Sequence, residues 1–258
     1  MIPFLHLGPL SIPTFGLMVA LAMVGAFFVL RADLERRGLA ERSSGTAEYF
    51  ITIPSLAGII GARIYHVLQS PGDLLADPTG QLFSRYGFAW FGGLIGGCAA
   101  YVLVARWKKI PLLMALDAGS PAAALGYGIG RIGCLLSGDG DYGVPTSLPW
   151  GMSFPNGLVP TTERVHPTPL YEFLAACVIA WILWRLGARA MRAAPIAGSV
   201  FGAYLLLTGA ARFLVEFIRI NPHVILGMSN AQAASLLSML AGGLLWWRVR
   251  KAGASRVR

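Results

Sequence analysis

Residues 12–37 read IPTFGLMVALAMVGAFFVLRADLERR, an uncharged apolar run as far as Leu30 followed by Arg31, Arg36 and Arg37. A helix needs roughly 20 apolar residues to cross bilayer hydrocarbon, and basic residues gathered at one end of such a run mark a cytoplasmic flank. The pattern recurs at 47–68, 88–106, 112–136, 168–185, 196–218 and 231–248, which gives seven candidate spans. Composition agrees. Of 258 residues 55% are hydrophobic and 13% charged, about half the charged share of an ordinary soluble domain, so most of the surface faces lipid.

Charge then orients the chain. Fifteen of the 21 Lys and Arg residues lie after spans one, three and five and at the C-terminal tail: Arg31, Arg36, Arg37 and Arg42; Arg106, Lys108 and Lys109; Arg185, Arg189 and Arg192; Arg248, Arg250, Lys251, Arg256 and Arg258. The alternation predicts an all-α integral membrane protein of about seven helices, with the N-terminus outside and the C-terminus cytoplasmic. The net charge of +9 is thereby assigned to topology, and nucleic acid is not expected as a partner. One polytopic domain over 1–258 is expected, with 137–167 as an extracytoplasmic loop or cap, since a connection of that length is seldom structureless. Segment 69–87 is placed on the same side, and its DLLADP stretch reads as a short interfacial helix.

Residues 1–11 carry no Lys or Arg, so they lack a secretory n-region and span one reads as an uncleaved insertion signal. Cys98, Cys134 and Cys177 are odd in number and lie in or beside apolar stretches, which argues against a disulfide framework. The four histidines are scattered, so no metal spacing is found and no cofactor is expected. No convincing internal repeat exists, and polar residues clustered towards one face disfavour a transporter pathway.

The six remaining basic residues are Arg63, Arg85, Arg131, Arg164, Arg212 and Arg219. A charge at membrane depth is costly, so each such residue is a candidate for function. Arg131 lies in GYGIGRIG near the outer end of span four. Arg212, Glu216 and Arg219 in ARFLVEFIR fall at i, i+4 and i+7, one face of span six. Arg212 and Glu216 can neutralise each other as a structural pair. With Glu216 given to Arg212, Arg131 and Arg219 have no obvious acidic partner at helical spacing, which leaves a positive surplus suited to a phosphate, whose oxygens match the planar guanidinium fork. An anionic lipid headgroup is the expected ligand. Gly126, Gly128, Gly130 and Gly133 would let a helix or a lipid approach span four closely. His66 and His166 are candidate proton acceptors, whereas His6 and His223 read as loop histidines. Arg85 and Arg164 read as surface residues, and Arg63 stays open.

The segments GRIGCLLSGDGDYG (130–143), VHPTPLYE (165–172), ARFLVEFIR (211–219) and MSNAQ (228–232) resemble, in order and spacing, those of the bacterial prolipoprotein diacylglyceryl transferases. The likeness covers nearly the whole chain. It implies an enzyme of lipoprotein biogenesis in the bacterial inner membrane that moves diacylglycerol from phosphatidylglycerol to the lipobox cysteine thiol of a prolipoprotein and releases glycerol phosphate. It further implies that Arg131 and Arg212 flank the donor phosphate, with Glu216, Arg219, Ser137, Gly143, Tyr171 and Glu172 completing the lipid site. Departures accompany the likeness. Phe91 stands where the family has a histidine regarded as a base, Cys134 and Ser137 replace asparagines, Asp139 replaces a glutamate, Phe15 replaces a tyrosine, and one extra residue precedes Gly143. With Phe91 unable to accept a proton, His66, His166 or Asp139 would do so. The alternative is a paralogue that binds phospholipid without the transfer.

Overall fold

The computed structural model describes every residue except 84–86, 88, 193–195, 226 and 255–258; Arg85, Arg256 and Arg258 lie outside the described residues. The described chain runs β1 (Phe4–Leu7), β2 (Leu10–Pro13), α1 (Thr14–Arg36), α2 (Thr46–Leu68), α3 (Pro71–Ala76), α4 (Pro78–Phe83), α5 (Trp90–Trp107), α6 (Leu112–Ser137), β3 (Met152–Phe154), β4 (Thr161–Val165), α7 (Thr168–Arg192), α8 (Ser199–Val215), β5 (His223–Ile225), β6 (Met228–Ser229) and α9 (Asn230–Ala254). Short 3₁₀ turns occupy Arg42–Ser44 and Glu216–Ile218. The strands make only two-stranded antiparallel hairpins, so the protein is an all-α integral membrane protein.

Among the described residues six helices are long and apolar enough to cross a membrane: Thr14–Arg36, Thr46–Leu68, Trp90–Trp107, Leu112–Ser137, Thr168–Arg189 and Ser199–Ile218. They coincide with the first six expected spans. The seventh falls on α9, which has 25 residues but carries Asn230, Gln232, Ser235 and Ser238 along its first half. Backbone polar groups in hydrocarbon must be satisfied within the segment, which is why helices dominate. The DLLADP stretch (73–78) supplies the last four residues of α3, then Asp77, then the first residue of α4, so it spans two short helices and not one.

The chain packs as two compact units, residues 34–115 and residues 1–33 with 116–258. In the first, α2 and α5 meet backbone to backbone. A Cβ added to Gly92 would lie 2.2 Å from the Gly61 carbonyl oxygen, one on Gly61 2.5 Å from that of Gly92, and one on Gly96 2.4 Å from that of Ala57. Only glycine permits that approach, and in lipid such close packing is a main source of helix association. Arg63 on α2, only 7% exposed, donates from Nη1 to the Gly87 carbonyl at 2.8 Å and from Nε to that of Leu82 at 3.3 Å. It therefore binds Leu82 and Gly87 by their carbonyl oxygens.

In the second unit α6 rests on α7 where Gly128 faces Ala176 and Phe173, a Cβ at Gly128 falling 2.9 Å from that of Ala176. The same device joins α8 to α9 at Gly202 and Gly242. Asp117 of α6 caps α8 from outside the helix, accepting the Gly198 and Phe201 backbone N–H at 2.8 and 2.7 Å, and so meets two of the donors every helix start leaves open. The 138–167 segment is folded. Gly138, at φ +60, ends α6, with its N–H on the Cys134 carbonyl at 2.9 Å, and β3 pairs with β4 antiparallel from Met152↔Val165 to Phe154↔Thr161. Arg164 reaches back from β4 to the carbonyls of Leu148, Pro149 and Gly151, so this exposed arginine serves the loop's own folding.

Candidate functional site

Four segments of the second unit converge on one ionic cluster. From α6, Arg131 Nη1 pairs with Asp141 Oδ2 and lies 3.6 Å from Glu172 Oε2, while its guanidinium sits 4.9 Å above the Tyr127 ring one turn earlier. From the end of α8, Arg212 Nη1 is 2.8 Å from Glu216 Oε2 and 3.5 Å from Glu172 Oε1. Arg219 meets all three carboxylates: Nη2 on Asp141 Oδ1, Nη1 3.3 Å from Glu172 Oε2, and Nε 3.8 Å from Glu216 Oε2. Glu172 on α7 in turn touches all three guanidiniums and accepts the Tyr127 hydroxyl at 2.5 Å.

The expected surplus of positive charge is not found. Three arginines face three carboxylates, because Asp141 and Glu172 reach Arg131 and Arg219 across the fold and not along a helix. The members differ in exposure. The Glu216 side chain is 0% exposed, that of Glu172 4% and that of Arg219 7%, whereas Arg131, Arg212 and Asp141 stand at 22%, 27% and 30%. The open side of the cluster is thus lined by two guanidiniums and one carboxylate.

Local structure explains the placement. The single helical face expected for Arg212, Glu216 and Arg219 breaks after Val215, where the turn tightens to 3₁₀ and Arg219 becomes extended at φ −88, ψ 156. The cause lies in the loop from 138 to 143. Gly143 forms a β-bridge with Arg219, and the Val144 N–H binds the Ile218 carbonyl at 2.9 Å. A Cβ on Gly143 would sit 2.3 Å from that same oxygen, which explains its glycine. Glu216 is fixed from the other side, accepting Asn221 Nδ2 at 2.6 Å and Ser229 Oγ at 2.7 Å on one oxygen. Ser229 and Gln232 also cap α9 reciprocally, the Gln232 N–H on Ser229 Oγ at 3.1 Å and the Ser229 N–H on Gln232 Oε1 at 3.0 Å, the S-x-x-Q form of a capping box.

Of the residues expected from sequence, Arg131, Arg212, Arg219, Glu216 and Glu172 come together, and Gly143 supports them through its backbone. Ser137 turns its hydroxyl onto the Cys134 carbonyl at 3.2 Å. Tyr171 receives Trp150 Nε1 at 2.8 Å and lies 3.2 Å from His166 Nδ1. His66 belongs to the other unit, its ring against the backbone of Gly87. Asp141 and Tyr127 are new members. Tyr127 stands at i−4 from Arg131 on α6, a helical spacing that could have pointed to it, whereas Asp141 carried no such signal, although it stands beside the extra residue of the 130–143 segment.

Asp139 lies next to the cluster, one ligand atom each of Cys134, Asp139 and Asp141 falling within 4.8 Å of one another. That trio could offer a metal one sulfur and two oxygens, but Asp141 is already engaged by two guanidiniums, which oppose a cation there. Burial pushes the Asp139 carboxyl above its ordinary range, although its hydrogen bond with Cys134 partly opposes this. Burial acts on Asp141 as well, yet the Arg219 and Arg131 guanidiniums outweigh it and hold that carboxyl low.

The family model for prolipoprotein diacylglyceryl transferase matches residues 3–248. Among similar proteins named phosphatidylglycerol–prolipoprotein diacylglyceryl transferase, that of Geobacter sulfurreducens is 37% identical over 87% of this chain and 84% of its own. The Bordetella avium protein is 34% identical over 98% and 95%, and the Clostridium tetani protein 31% identical over 90% and 91%. A match that runs through all four converging segments and nearly end to end places the chain in the prolipoprotein diacylglyceryl transferase family.

Proposed function

We propose that the chain transfers the diacylglyceryl group of phosphatidylglycerol to the lipobox cysteine thiol of a prolipoprotein, at the cluster of Arg131, Arg212 and Arg219, in the inner membrane of a bacterium. The observation that carries this reading is the convergence of three guanidiniums from α6 and the end of α8, two of them partly open, beside a family match that spans the chain. In the proposed topology the chain crosses seven times, with the N-terminus outside and the cluster towards the outer leaflet.

The reaction asks three things of the site. The donor phosphate must be held, and Arg131 and Arg212 are the partly exposed cations suited to it. The acceptor thiol must lose its proton, since the thiolate is the nucleophile. The leaving phosphate must be stabilised as charge grows on its oxygen, which fixed guanidiniums do without reorganising. Sulfur forms a bond to the terminal glycerol carbon of the diacylglyceryl group, the carbon–oxygen bond to phosphorus breaks, and its electron pair leaves with glycerol phosphate.

We assign the proton to Asp139 in preference to His166 or His66. An Asp139 oxygen lies within 4.8 Å of one on Asp141, and its raised proton affinity brings it closer to the working range of a general base. His166 is occupied by Tyr171. Glu172 and Glu216 orient the arginines; Tyr171, Ser137 and Gly143 shape the walls.

Purified protein given phosphatidylglycerol vesicles and a lipobox peptide should yield a thioether-lipidated peptide and free glycerol phosphate in equal amounts. Replacement of Arg131 or Arg212 by Ala should abolish both products. Lipid binding without either product in the wild-type protein would refute the transferase reading and leave a phospholipid-binding paralogue.

A further inference from the structure

Asp141 holds its two guanidiniums in an unusual way for a structural ion pair. One carboxylate oxygen goes to Arg131 Nη1 and the other to Arg219 Nη2, so a single anion spans two arginines, one on α6 and one in the extended segment after α8, with one oxygen each. That is how a phosphate is taken by two arginines, through two of its oxygens. Glu172 and Glu216 are nearly or wholly buried and tied to Tyr127, Asn221 and Ser229, and cannot leave without stranding a buried charge. Asp141 is the most exposed member at 30%. It follows Gly140, at φ +92, on a main chain held at the Asp141 carbonyl by Thr168 and Arg219, so its carboxylate leaves by rotation of the side chain alone.

We propose that Asp141 is a displaceable internal anion that, without lipid, occupies the Arg131 side of the donor-phosphate seat by tying Arg131 to Arg219, and is expelled when phosphatidylglycerol binds. The inference deepens the reading above and rests on its phosphate site. With Asp141 in place the cluster is neutral and its arginines are fixed in position; with Asp141 out, the same arginines present one uncompensated positive charge to the incoming phosphate. Without Asp141, the three guanidiniums would be held together by Glu172 and Glu216 alone, against a net repulsion that a low-dielectric setting strengthens. Release of glycerol phosphate follows from the same competition, because Asp141 returns as the product leaves.

The consequence is a lowered apparent affinity for phosphate ligands, reduced by the fraction of molecules in which the seat is open. The test uses glycerol phosphate as probe, titrated into detergent-solubilised full-length protein by calorimetry. Asp141→Ala should bind it about tenfold more tightly than wild type, and Asp141→Asn by an intermediate factor. Glu163→Gln, which removes the same charge from an exposed position on β4, should match wild type. Equal affinity in wild type and both Asp141 variants overturns the proposal, as does an equal gain in Glu163→Gln, which would reduce the effect to net charge.

A second measurement needs no variant. Saturating wild-type protein with glycerol phosphate should move one carboxylate stretching band in the infrared difference spectrum from an arginine-paired to a solvated frequency, and an unchanged spectrum at saturation overturns displacement. The transfer assay separates this from the reading beneath it. If wild type forms no lipidated peptide while Asp141→Ala still binds glycerol phosphate more tightly, the transferase reading fails and the displaceable anion stands. If wild type turns over and the variants bind no tighter, the reverse holds.

Discussion

Arg219 and Glu172 stand 47 residues apart in sequence and 3.3 Å apart from nitrogen to oxygen, and each is the point through which the other's partners are joined. Arg219 places one nitrogen towards each of the three carboxylates, and Glu172 touches each of the three guanidiniums. A fork of three separately directed donors is a property of arginine that lysine lacks. Arg219→Lys should therefore lower kcat/KM for transfer by at least about a hundredfold, the scale of losing one fixed donor to a developing oxyanion. Arg219→Ala should also destabilise the fold by about 1–3 kcal/mol, since the buried Glu172 carboxylate would lose one of its charged donors while keeping Arg131 and Arg212. Transfer kinetics and unfolding in detergent measure the two separately, and a lysine variant with wild-type rate would count against the hub.

Ser229 connects the start of α9 to the cluster through one hydroxyl, which accepts from the Gln232 N–H and donates to Glu216. Ser229→Ala should lose about 1–2 kcal/mol of stability as a missing N-cap and should also lower the transfer rate, because Glu216 loses one of the two donors on its inner oxygen. Ser229→Thr keeps the hydroxyl and should restore both. Loss of stability with an unaltered rate would confine Ser229 to capping.

The spans were legible because bilayer thickness sets a length that hydropathy can read, and Arg131, Arg212, Glu216 and Arg219 were legible because charge within such runs is rare. What the sequence could not convey was the pairing. Spacing reveals partners at i+3 and i+4, so it paired Arg212 with Glu216 and left Arg131 and Arg219 uncompensated, although Glu216 also stands three residues before Arg219 and reaches its Nε at 3.8 Å; their nearer partners come from a loop and from α7. Glu172 entered the site through family likeness alone. The break after Val215 was hidden for a related reason: Arg219 is extended by a bridge to Gly143, 76 residues earlier in the chain. The capping box in MSNAQ was readable from S-x-x-Q by itself, and only its link to Glu216 required the fold.

Gly92 and Gly61 carry a prediction for the other unit. Because a new Cβ on Gly92 would strike the Gly61 backbone and the Tyr65 Cβ, an atom that no rotation of the tyrosine side chain displaces, no rotamer change relieves the clash and α2 must move from α5. Gly92→Ala should cost about 1–3 kcal/mol, the usual range for overpacking, whereas Gly72→Ala, with open space around its Cβ, should cost far less. Thermal unfolding of the two variants side by side measures the difference, and equal losses would show that the helix contact is not tight.

Asp139 and Asp141, two residues apart, should bend the stability curve in opposite directions with pH. Asp139 is pushed up from 3.8 by burial, so its folded form holds a proton more readily than its unfolded form. Its contribution is whole below 3.8 and is lost as pH rises through the raised folded value. Asp141, pulled below 3.8 by Arg219 and Arg131 against the effect of its own burial, contributes above 3.8 and loses that contribution as pH falls through its lowered value. Asp139→Asn should therefore gain stability relative to wild type as pH rises from about 4 towards neutrality, while Asp141→Asn should be less stable than wild type at neutral pH and approach it in acid. Unfolding midpoints of the three proteins across that range check both signs. Parallel curves would mean that neither carboxyl changes its proton affinity on folding, and the choice of Asp139 as proton acceptor would lose its electrostatic support.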